Sequence, residues 1–134
     1  MIGVLIVTHG DIGTSLLTSA NQILGGVQQQ VATLSVWRAD EIDDLVLRAR
    51  ELIEGLDAGD GVLVLTDIFG ATPGNVVSRL LEDGRIEGVS GASLPMLLRV
   101  LTGRNGSLTA AVQRALSGGA EGVVHMNTDR CLDA

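Results

Sequence analysis

The sequence has no lysine: all nine basic residues among its 134 are arginine, and they stand against sixteen acidic residues for a formal net charge of −7. That absence excludes a P-loop lysine for nucleotide phosphates and a Schiff-base lysine for carbonyl chemistry. Tyrosine is missing too, and Trp37 and Phe69 are the only aromatic residues. A nucleic-acid binder needs a basic footprint and stacking rings, and this chain has neither. One cysteine, Cys131, rules out an intrachain disulfide and a cysteine zinc site, and it suits a cytoplasmic protein. Cys131 sits in a polar tail, residues 127–134, and is read as incidental. No apolar run reaches membrane-spanning length, and the opening Met1–Val7 lacks the basic flank and cleavage site of a signal peptide. Phosphate chemistry, if the chain performs any, is left to backbone amides and to two histidines, His9 and His125.

The length suits one domain with a core that needs no metal or disulfide. Short apolar runs at Ile2–Val7, Val31–Val36, Val62–Leu65, Ile86–Val89 and Gly122–Met126 read as strands buried on both faces. Helical patterns lie between them. Asp40–Leu56 places Ile42, Leu45, Val46, Ala49, Leu52, Ile53 and Leu56 on one stripe behind an Asp40 cap, and Thr14–Leu24 stops at Gly25-Gly26. Pro73 opens a third helix to about Leu81, Ser93 and Pro95 a fourth to about Thr102, and Ser107 caps the last. This alternation predicts an α/β fold: a doubly wound, mostly parallel sheet with helices on both faces. Residues 1–126 form the domain.

In such sheets ligands sit beyond the carboxyl ends of the strands, where strand order reverses. That rule selects the loops Thr8–Gly13, Thr66–Pro73 and Ser90–Ser93. If the first and third strands are neighbours, His9 and Asp67 face each other. A carboxylate that accepts from one imidazole nitrogen fixes the tautomer and frees the other nitrogen to attack. Glycine-rich loops that start helices offer N–H groups to an anion, so a phosphoryl group on His9 fits both features. Position and partner alone also leave His9 open as a solvated loop residue and Asp67 as a turn residue. His125, inside the last strand pattern, reads as structural or exposed. Trp37 and Arg38 read as a rim residue and a solvated charge, or as anchors for a docking protein. Gly10–Gly13 lacks the full dinucleotide fingerprint, and Asp40 only loosely meets its acidic ribose partner.

Three collinear segments, Ile2–Gly10, Leu65–Asn75 and Val89–Leu97, resemble the mannose-family IIA component of the bacterial phosphoenolpyruvate-dependent sugar phosphotransferase system. The resemblance runs over nearly the whole chain. It implies that His9 accepts a phosphoryl group from the phosphocarrier HPr and passes it to a IIB protein, with Asp67 orienting the imidazole. It also implies a homodimer in which the carboxyl-terminal strand, here Glu121–Met126, is exchanged. With that assignment, Thr8, Gly10, Thr66, Gly70, Ala71 and Thr72 are the expected phosphate ligands, and Trp37, Arg38, Phe69 and Ser93 the expected partner contacts. No metal, nucleotide or other cofactor is expected. Family members commonly carry Val-Asn where this chain has Ala92-Ser93, and serine still caps a helix there. Little sequence follows the last strand pattern, so no fused IIB domain is expected and the acceptor is expected to be a separate chain. Two alternatives share the histidine: a regulatory protein that uses its phosphohistidine only as a signal, and a dihydroxyacetone-kinase phosphodonor subunit.

Overall fold

The computed structural model describes residues 1–129, so Cys131 lies outside the described residues. Its elements run β1 (Gly3–His9), α1 (Ile12–Leu24), β2 (Val31–Val36), α2 (Ile42–Leu56), β3 (Val62–Thr66), α3 (Thr72–Ser78), β4 (Ile86–Val89), α4 (Leu94–Leu101), α5 (Leu108–Glu121) and a single turn, α6 (Met126–Asp129). The four strands form one parallel sheet in the order β2-β1-β3-β4.

Side chains alternate across the sheet as strand geometry requires. Leu5, Val7, Val62 and Val64 point to one face, where α2 contributes Leu45, Ala49 and Ile53, α3 contributes Val76 and Val77, and the turn after α3 contributes Leu80. Val4, Ile6, Leu63 and Leu65 point to the other, against Ala20 of α1, Met96, Leu97 and Val100 of α4, and Ala111 and Ala115 of α5. Both faces of the central strands β1 and β3 are covered, which is why their sequences are almost wholly apolar, while the edge strands β2 and β4 carry Thr33, Ser35 and Glu87 and are buried only in part. The chain leaves β1 in one direction to reach β2, then crosses back to β3 on the other side. With crossovers of one hand, that reversal sends α1 to one face and α2 and α3 to the other.

Local chemistry sets the element ends. α1 stops at Gly25, whose left-handed φ of 81° lets Gly25 and Gly26 return N–H bonds to Gln22 and Asn21. Ser93 and Ser107 cap α4 and α5 by accepting from the N–H groups of Met96 and Ala110. Asp40 does not cap α2. The helix begins at Ile42 with Glu41 in the capping position, and the Asp40 carboxylate turns back to the Trp37 N–H instead.

Two further features shape the ends of the sheet and of the chain. Arg104 is only 6% exposed, and its Nη1 donates to the carbonyls of Ile2, Gln29 and Gln30, fastening the amino ends of β1 and β2. Burial pulls this guanidinium below the usual arginine value. The expected strand Gly122–Met126 is not a strand: residues 122–125 pair with no other strand and Met126 begins α6. Strand character depends on a hydrogen-bonded neighbour, and here Val123 is 84% exposed. His125 therefore lies outside the sheet, exposed, with Nδ1 2.8 Å from Thr128 Oγ1.

Candidate functional site

Because β1 and β3 are neighbours, their carboxyl ends bring His9 and Asp67 together where the strand order reverses. His9 Nδ1 lies 2.8 Å from Asp67 Oδ2, and the same oxygen accepts the His9 main-chain N–H at 3.1 Å. Asp67 Oδ1 accepts from the Ile68 N–H at 3.1 Å. The carboxylate is thus held from both sides. Burial alone would raise its pKa, but the hydrogen bonds from His9 outweigh burial and hold the carboxyl below its usual range. An ionised Asp67 requires Nδ1 to carry the ring proton and donate it. Nε2 is left with its lone pair, on a side chain 49% exposed.

The expected phosphate ligands divide into two groups. Thr8 is buried, and its hydroxyl accepts the Gly13 N–H at 2.7 Å, which ties β1 to the start of α1. The Gly10 N–H is committed to the Val36 carbonyl at 3.0 Å. The Thr66 hydroxyl is buried without a partner and lines a cleft of about 370 Å³ beside β4. Thr8 and Gly10 thus each have one polar group engaged within the fold, while the Thr66 hydroxyl has no partner among the described residues. Gly70, Ala71 and Thr72 lie on the exposed turn that leads from Asp67 into α3, and their N–H groups find no acceptor among the described residues. Gly70 takes a left-handed φ of 87°, which a glycine adopts without strain.

Around the site, Ile12, Trp37, Ile68 and Phe69 are all large apolar side chains left exposed, and Arg38 is exposed beside Trp37. Ser93 is half-buried with its hydroxyl engaged as the α4 cap. The part played by Asp40 was hidden in the sequence, because an acidic residue before a helix reads as a cap. Among the described residues, no three His, Cys, Asp or Glu side chains are grouped to hold a metal, and no helix is long and apolar enough to cross a membrane.

Residues 3–116 match the family model described as the fructose IIA component of the phosphotransferase system, EIIA-man. The chain belongs to this IIA family. It is 32% identical over 125 residues to the mannose-specific EIIAB component of Escherichia coli, covering 91% of this chain but only 38% of that protein. With the fructose-specific EIIA component of Bacillus subtilis it shares 33% identity over 103 residues, 76% of this chain and 70% of the relative. The crystal structure of a phosphotransferase system EIIA from Streptococcus agalactiae superposes with a TM-score of 0.84 at 28% identity, covering 96% and 99% of the two chains. The mannose/sorbose IIA subunit of Enterococcus faecalis shares the fold, with a TM-score of 0.80 at 21% identity over 92% of each chain. The IIA assignment agrees with the parallel sheet and its two helical layers.

Proposed function

We propose that this IIA protein is a phosphoryl carrier that takes a phosphoryl group on His9 from phospho-HPr and passes it to a IIB protein. The observation that carries this reading is the His9–Asp67 pair: one ring nitrogen bound at 2.8 Å to a carboxylate, the other free on a half-exposed ring. The Nε2 lone pair forms the bond to phosphorus as the donor's own bond to phosphorus breaks and leaves its electron pair on the donor. Developing imidazolium charge is stabilised by Asp67. The phosphoryl oxygens are met by the N–H groups of Gly70, Ala71 and Thr72 and by the Thr72 hydroxyl. Such a transfer needs alignment and charge stabilisation more than covalent help.

The exposed rim of Trp37, Arg38 and Phe69 is suited to protein partners, since aromatic and arginine side chains anchor interfaces. A homodimer completes the reading. Val77 and Leu81 on one side and Val112 and Leu116 on the other line the cleft at the free edge of β4, and Leu81 and Leu116 remain about half exposed. The apolar segment Gly122–Met126 of a second copy has the composition to fill it as an added strand.

The test is incubation with phosphoenolpyruvate, enzyme I and HPr followed by intact mass. One acid-labile phosphoryl group is expected, lost in His9→Gln and kept in His125→Gln. A phosphorylated His9→Gln protein overturns the assignment.

A further inference from the structure

Gly10 directly follows His9 and takes a left-handed φ of 47°. The turn that carries the reactive ring therefore contains the residue with the greatest backbone freedom. A group that must align for in-line attack gains from having that freedom removed. On the β3 side Asp67 fastens both the ring and the main chain of His9. The β2 side has its own fastening. The Gly10 N–H donates to the Val36 carbonyl, and the six-membered ring of Trp37 lies over Gly10, so that a Cβ there would stand 3.2 Å from Cζ3 and 3.4 Å from Cη2. Trp37 is itself tied twice to Asp40. Its N–H donates to Asp40 Oδ2 at 2.8 Å, and its carbonyl accepts the Asp40 N–H at 3.0 Å.

We propose that Asp40 and Trp37 form a second clamp on the His9 turn, opposite Asp67, and act as positioning residues for phosphoryl transfer. Asp40 sets the backbone from which the indole projects, and the indole restrains Gly10 and through it the imidazole. This assignment rests on the reading of His9 as the phosphoryl acceptor, and it gives Trp37 a task that remains when no partner protein is docked.

Phosphoramidate separates positioning from docking, because so small a donor needs no protein surface. His9 Nε2 forms the bond to phosphorus, the P–N bond of phosphoramidate breaks, and ammonia leaves with that electron pair and a proton. Trp37→Ala and Asp40→Ala are each expected to slow His9 phosphorylation by phosphoramidate about tenfold, with Trp37→Phe restoring most of the rate. In the unphosphorylated variants, the imidazole ¹⁵N signals of His9 should move from the Nδ1–H tautomer toward a mixture, while circular dichroism and the melting midpoint of Asp40→Ala stay close to those of the parent. Unchanged phosphoramidate rates and unchanged imidazole signals in both variants overturn the clamp, even if transfer between proteins falls. If the parent took up no phosphoryl group from any donor, the carrier reading would fall, and the imidazole signals alone would decide for or against the clamp.

Discussion

At His9 the two ring nitrogens have different tasks, and Asp67 is what makes them different. Its carboxylate is held below the usual range by the His9 hydrogen bonds in spite of burial, so it serves as the acceptor for the Nδ1 proton. Asp67→Asn keeps the shape and removes the charge, and phosphoryl acceptance should fall about a hundredfold or more in a rapid-quench assay. The pH dependence of stability follows from the same shift. A carboxyl whose folded pKa is depressed contributes stability that is present above its unfolded value of about 4 and lost as the pH falls through the folded one. The stability difference between parent and Asp67→Asn, measured by denaturant titration, should therefore shrink as the pH falls below about 4. A difference that persists undiminished well below that pH would contradict it. His9 and Asp67 were legible as a pair because both end apolar runs. The fates of Thr8 and Gly10 were not, because whether a hydroxyl or an amide is spent inside the fold depends on neighbours distant in the chain, such as Val36.

Among the elements, four strands and five helices follow from local patterns that the sheet then reinforces. The apolar runs of β1 and β3 became buried strands, those of β2 and β4 became partly buried edges, and Ser93 and Ser107 became caps. Asp40 misled because its side chain can serve either the helix ahead or the turn behind, and the turn holding Trp37 over Gly10 took it. The segment Gly122–Met126 misled for a different reason. Its valines suit a strand, but strand formation needs an edge to pair with, and within one chain nothing brings it to β4. Deleting the chain from Gly122 onward should convert a dimer into a monomer in light scattering while leaving the four-stranded core folded. A full-length protein that is already monomeric at micromolar concentration would contradict the exchange.

For the whole molecule, the reversal of strand order between β1 and β3 brings the His9–Asp67 pair together at one end of the sheet. The opposite end is closed by structural charges: Arg104 on three carbonyls, and Arg85 paired with Glu54, Asp57 and Glu82. Around the half-exposed His9 ring, Ile12, Ile68 and Phe69 are left exposed on short loops, apolar surface better suited to a protein partner than to an enclosed small substrate. On the proposed carrier function, the phosphoryl group on His9 moves only to another protein. The most direct measurement isolates the phosphorylated chain and follows its intact mass after mixing with free sugar, with ADP, or with a IIB protein. The account predicts that the phosphoryl mass is lost rapidly only when the IIB protein is added and appears on that protein. Rapid transfer to free sugar with no IIB protein present would contradict it.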